Sequence, residues 1–198
     1  MWRKLFALVG LLAGAPLVGG CAPLAVQHQG DAFFRQALAA QLGSDEPRAE
    51  SLYREVIALG LDWSPVWNNL AVIAVHRRDY SAARKLLAQA VAANERDVVA
   101  LTNYGVISFH LSDYAEARRT LAEARALRRR IMDSIPSMGR AAWEEQQYAR
   151  ATESLDAVAV KYLARIDRGQ VSDLPATAPS ELMADLRPQA LEPLRPRL

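Results

Sequence analysis

A six-residue pattern returns 34 residues later: Asp79-Tyr80-Ser81-Ala82-Ala83-Arg84 is matched by Asp113-Tyr114-Ala115-Glu116-Ala117-Arg118. Asn69 and Asn103 share the offset, as do His76 and His110, Leu87 and Leu121, and Ala90 and Ala124. One more step from Tyr114 lands on Tyr148, followed by Ala151, Leu155 and Val158. A step backward is weaker but visible in Ala49, Tyr53 and Val56. A period of this size signals a stacked repeat, since one unit cannot bury its own apolar face and needs a neighbour. Ala71, Gly105, Ala83 and Ala117 are small enough for helices to approach closely. Trp67, Leu70, Leu87 and Leu121 recur at three- and four-residue steps and fill the seam. The pattern therefore predicts an all-α fold.

Local signals agree. Ser64 is placed to N-cap a helix that carries Pro65 in its first turn, and Gly60 to end the preceding one. Asp79 and Asp113 are placed to cap helices beginning at Tyr80 and Tyr114. Pro136 requires a first helical turn of its own. With these residues in hand, the chain resembles the tetratricopeptide repeat, a helix–turn–helix unit of 34 residues. Repeat two, 64–97, has Trp67, Leu70, Ala71, Tyr80, Ala83, Leu87 and Ala90. Repeat three, 98–131, has Leu101, Tyr104, Gly105, Tyr114, Ala117, Leu121 and Ala124. Repeat four, 132–165, has Ile135, Met138, Gly139, Tyr148, Ala151, Leu155 and Val158. Repeat one, 30–63, keeps Phe33, Ala37, Ala49, Tyr53 and Val56, with Glu46 where the pattern has an aromatic. The resemblance implies an α-solenoid of about four repeats over residues 31–166.

The two ends read differently. Arg3 and Lys4 precede sixteen uncharged residues, Leu5 to Gly20, interrupted by Gly10, Gly14 and Pro16. A spanning helix needs about 20 apolar residues, so residues 1–20 read as a secretory signal peptide. The run ends Leu17-Val18-Gly19-Gly20-Cys21, which looks like a bacterial lipobox, with the single cysteine of the chain at the position that would be acylated. Residue 22 is Ala rather than Asp, which in the lipoprotein-sorting pattern implies the outer membrane, periplasmic face. Residues 21–30 are then a lipidated tether. Residues 167–198 form the C-terminal tail; five prolines between Asp173 and Leu198 predict a disordered or loosely docked segment, with one or two helical turns available at Ser180–Leu186.

Signatures of catalysis are missing. The sequence has no glycine-rich phosphate loop, no His-Glu-x-x-His and no serine flanked by glycines. Three histidines and one cysteine supply little for a metal site, and no cofactor is expected. Removing residues 1–20 takes away Arg3 and Lys4 and leaves 22 basic and 22 acidic residues, so bulk charge does not point to nucleic acid. His76 and His110 either line one wall or simply touch water. Arg118, Arg119, Arg125, Arg128, Arg129 and Arg130 crowd one helix, either as a contact for an anionic surface or as a solvated face balanced by Glu116 and Glu123.

The resemblance also implies a concave groove for a protein partner. Its lining positions carry over to Asn68, Val72 and His76, to Thr102, Val106, Phe109 and His110, and to Arg140 and Trp143, with Phe34, Leu38 and Val75 beside them. The wall is mostly apolar and suits an apolar peptide or an amphipathic helix, although Val72, Val106 and Phe109 also fit simple packing between repeats. The expectation is a non-enzymatic, lipid-anchored adaptor in the periplasm. Lipoproteins that it is loosely similar to assist assembly of pili or secretion machines. The alternatives are a scaffold for envelope enzymes or polysaccharide export, a self-associating structural dimer, and an enzyme using Glu144, Glu145 and His110.

Overall fold

The computed structural model describes residues 23–134, 142–170, 179–186, 188 and 189; for 142–148, 151 and 179–181 only the backbone is described. Among the described residues the chain is all-helical, without strands. Its elements are α1 (Leu24–Leu42), α2 (Glu46–Ala58), α3 (Ser64–His76), α4 (Tyr80–Ala93), α5 (Val98–His110), α6 (Tyr114–Ser134), α7 (Ala142–Asp167) and α8 (Pro179–Asp185). Consecutive helices pack as pairs, α1 with α2, α3 with α4 and α5 with α6.

The pairing is built by a turn that recurs with the 34-residue offset. Ser44, Arg78 and Ser112 all have positive φ, at 64°, 61° and 63°. Each closes the preceding helix with the same two bonds. In the middle turn, Arg78 N–H donates to the carbonyl of Val75 (2.8 Å) and Asp79 N–H to that of Ala74 (2.9 Å). This left-handed cap normally favours glycine. Here serine and arginine occupy it, and an aspartate follows each. Asp45, Asp79 and Asp113 then accept the backbone N–H of Arg48, Ala82 and Glu116 at 3.3, 2.9 and 3.3 Å. One residue ends a helix and the next starts its partner, so each reversal is fixed by two adjacent positions.

Small residues set the separation within a pair. Ala83 and Ala117 have no exposed surface. A Cβ placed on Gly105 would lie 2.6 Å from Leu121 Cγ and 2.8 Å from Thr120 Oγ1, so α5 meets α6 at a distance only glycine permits. In the first pair, Phe34 meets Tyr53 edge to face at 5.5 Å.

Three expectations need correction. Ser64 does not cap α3; Trp63 holds the N-cap position, and the Ser64 hydroxyl donates to Asp97 Oδ2 at 2.6 Å. The stretch expected as tether is helical from Leu24. Repeat four is not a second-helix copy of the others: α7 runs unbroken from Ala142 through Tyr148 to Asp167, where a turn was expected before Tyr148. The expected first helix of that repeat, with Ile135, Pro136, Met138 and Gly139, lies largely outside the described residues. The helical turns expected at Ser180–Leu186 are present as α8, and with Leu182, Leu186 and Gln189 buried the described part of the tail is docked rather than disordered.

The later elements converge on the earlier ones. α7 packs on both α5 and α6, and α8 rests on α3. One apolar cluster joins Ala71 and Val75 of α3, Val106 and Phe109 of α5, Tyr162 of α7 and Leu182 and Leu186 of the tail. Among the described residues, no helix is long and apolar enough to cross a membrane.

Candidate functional site

The faces of α3 and α5 that turn toward the tail carry a buried polar seam on an apolar floor. It begins in the first pair. Tyr53 donates its hydroxyl hydrogen to Gln41 Oε1 at 2.9 Å, and Asn69 Nδ2 donates to the Tyr53 hydroxyl at 2.9 Å. Burial pushes the Tyr53 hydroxyl pKa up, an effect only partly offset by the Asn69 bond, so this group stays protonated and serves as donor and acceptor at once. Asn68 Nδ2 donates to Asn69 Oδ1 at 3.2 Å, and Asn103 Nδ2 donates to Asn68 Oδ1 at 2.8 Å. The seam therefore runs from α1 and α2 across α3 to α5, and all three asparagines are fully buried.

The tail completes it. Gln189 N–H donates to Asn69 Oδ1 at 2.6 Å, and Asn69 Nδ2 donates to the Gln189 carbonyl at 2.8 Å, across 120 residues of sequence. One asparagine thus satisfies both polar groups of a main-chain unit. The Gln189 side chain donates from Nε2 to Asp97 Oδ2 at 3.0 Å. Asp97 caps α5 through Val99 N–H (2.9 Å) and Ala100 N–H (3.1 Å), so the same carboxylate orders the helix start and receives the tail.

A second polar anchor lies on α7. Asp185 Oδ2 accepts from Lys161 Nζ and from the Tyr162 hydroxyl, both at 2.8 Å. Having given its hydrogen to Asp185, Tyr162 receives one from His110 Nε2 at 3.0 Å, which places the proton of that imidazole on Nε2. Phe109 packs against Tyr162 at 4.9 Å and against Tyr114 at 5.4 Å, both edge to face. The Arg165 guanidinium lies 5.8 Å from the Phe109 ring centre.

The residues expected to line the groove now have definite positions. Asn68, Val72, Thr102, Val106 and Phe109 are each at most 2% exposed. Expected as open groove surface, they are covered: Phe109 by α7, and the floor around Asn69 by the tail. Phe34 and Val75 are buried too, while Leu38 is only partly buried. His76 and His110 do not share a site. His76 Nδ1 pairs with Glu46 at the start of α2, whereas His110 pairs with Tyr162. Arg140 and Cys21 lie outside the described residues, and for Trp143 only the backbone, within α7, is described.

The arginine-rich helix α6 keeps part of the expected solvated face, with Arg119 balanced by Glu116 and Glu123, and adds a use that was not expected. Arg118 reaches Asp167 at 2.6 Å, Arg125 reaches Asp156 at 2.9 Å, and Arg128 Nε donates to Thr152 Oγ1 at 2.9 Å. The partners descend along α7 as the arginines ascend α6, so the stripe stitches two antiparallel helices. Arg119 is held on its own helix by Glu116 (2.7 Å) and Glu123 (3.2 Å), and the Glu116 bond is the main reason its pKa is raised.

Sequence reasoning missed Asn69, Asp97, Lys161, Tyr162, Asp185 and Gln189. Asn69 and Asn103 were visible as a repeat pair, but nothing local marks a side chain that will hold a main chain so distant. Among the described residues, no group of three or more His, Cys, Asp or Glu is arranged to hold a metal ion. No protein-family model matches the chain, and comparison with curated proteins finds no match either.

Proposed function

We propose that this chain is a non-enzymatic adaptor of tetratricopeptide type, anchored by a lipid on Cys21 to the periplasmic face of the outer membrane. The single observation that carries the adaptor reading is the grip of Asn69 on both main-chain groups of Gln189. A surface that satisfies peptide N–H and C=O with one side chain is built to hold extended chain, and an apolar floor beside it is built to hold an amphipathic segment. The recurrence of the positive-φ turn at Ser44, Arg78 and Ser112 supports a solenoid of three helix pairs, with α7 as a long closing helix instead of a fourth pair. The lipobox-like Leu17-Val18-Gly19-Gly20-Cys21 supports the anchor.

Assembly of a pilus or secretion apparatus is the pathway this build suits best, by analogy with lipoproteins it resembles. Scaffolding of envelope enzymes, polysaccharide export and self-association are the alternatives. The experiment is crosslinking in intact cells followed by mass spectrometry, with acyl labelling of the same cells. A specific envelope protein joined to residues of α3, α5 or α7 is the expected outcome. Crosslinks only between copies of this chain would replace the adaptor with a structural oligomer. Cys21→Ser is expected to abolish acyl labelling and membrane association, because the chain has no other thiol; unchanged labelling would remove the anchor.

A further inference from the structure

Leu182, Asp185, Leu186 and Gln189 lie on α3, α5 and α7 in the manner of a bound ligand. Their anchors are few and regularly spaced. Leu182 and Leu186 enter the apolar cluster with Val75, Phe109 and Tyr162. Asp185 meets Lys161 and Tyr162 between them. Gln189, three residues further and outside the helix, is gripped by Asn69 through its main chain. Recognition of a main-chain unit does not read the side chain, so any residue except proline satisfies Asn69 equally.

The fit at Gln189 is also incomplete. Its Nε2 donates to Asp97, but its Oε1 is buried without a hydrogen-bond partner among the described residues. A buried carbonyl oxygen left without a donor is a cost that the docked state carries. A segment that offered Asp97 a donor without a stranded acceptor would fill the same position without that cost.

We infer that this groove is the docking site for a segment of a partner protein with the chemistry of the tail, and that the tail, through Leu182, Asp185, Leu186 and Gln189, occupies it in cis as the competitor. The segment is a short amphipathic helix with an apolar residue, an acidic residue three positions on and a second apolar residue directly after it. A hydrogen-bond-donating side chain follows three residues later, outside the helix. This inference rests on the adaptor reading and adds regulation to it. A tethered competitor acts at an effective concentration on the order of millimolar, so a partner segment must bind more tightly than the tail to displace it.

The test uses the full mature chain and a fluorescein-labelled synthetic peptide of residues 179–190, read by fluorescence anisotropy. Two variants release the tail by different routes. Leu182→Asp with Leu186→Asp removes the apolar anchors, and Gln189→Pro removes the N–H that Asn69 accepts. Circular dichroism checks each for parent helicity, and the proline variant leaves the apolar cluster untouched if the aspartate pair fails to fold. Both released chains are expected to bind the peptide at least about tenfold more tightly than the parent. Adding Asn69→Ala to either is expected to remove at least about tenfold of that binding. A peptide that binds released and parent chains equally, or binds neither, overturns the inference and makes the tail a fixed part of the core. Crosslinking of an envelope partner alongside such a failure would leave the adaptor standing. Strong peptide binding with no partner crosslinked to parent or released chain would instead remove the adaptor, and with it the partner half of this inference.

Discussion

Helices α5 and α4 are nearly the same length, yet α5 buries eleven of its thirteen residues and α4 only three of fourteen. α3 behaves like α5, with nine of thirteen buried, and α6 like α4, with five of twenty-one. The second helix of each pair shows one apolar stripe, as Ala83, Leu87 and Ala90 do on α4. α5 is instead enclosed by α6, α4, α7, α3 and, through Asp97 at its cap, the tail. A groove-lining helix in an open stack of pairs keeps one wet face. A helix buried all round reports that its groove is filled. The contrast between inner and outer helices is therefore a statement about the occupant as much as about the scaffold.

The contrast is broken most severely at Phe109. Phe109→Ala is expected to cost about 3–5 kcal/mol, because the ring is buried against Tyr114 and Tyr162. A chemical melt within error of the parent would mean that α7 does not cover it. Next comes the close approach inside a pair. Ala117→Leu is expected to cost about 1–3 kcal/mol by overpacking the seam with α5, and an unmoved melting temperature would contradict the pairing.

Release of the tail ranks third and sharpens the comparison most. Truncation after Asp173 and Leu186→Ala are each expected to lower stability by about 1–2 kcal/mol, a local opening well short of global unfolding. Neither can cost more than docking itself contributes, so Phe109→Ala should remain the larger effect. The smallest effect belongs on the outer face. Arg125→Ala loses a half-exposed pair with Asp156 and is expected to cost about 0.2–1 kcal/mol by urea titration.

Much of the scaffold is legible in the residues themselves. The 34-residue offset places three pairs, and Asp79 and Asp113 cap where their spacing says they should. The failure of repeat four was legible too. Asp45, Asp79 and Asp113 project by the same step to Gln147, which offers no carboxylate to start a new helix, so α7 continues. The apolar residues after Tyr148 imitate a second helix because any helix packed on α6 needs such a stripe. The positive-φ turns were hidden because Ser44, Arg78 and Ser112 are not glycine; the conformation is imposed by the two bonds that close each helix. The filled groove had one signal, the lack of any charged residue from Ser64 to Val75 and from Val98 to Phe109. The partners that fill it are more than fifty residues away, and no local pattern announces such contacts.

Hydrogen exchange followed by mass spectrometry on the full chain and on a chain ended at Asp173 tests the central claim most directly. If the tail covers the groove, losing it speeds exchange in α3 and in the first turn of α5 around Asp97, while α2 and α4 exchange as before. Unchanged exchange in α3 and at the start of α5, with both chains equally helical, would contradict the account.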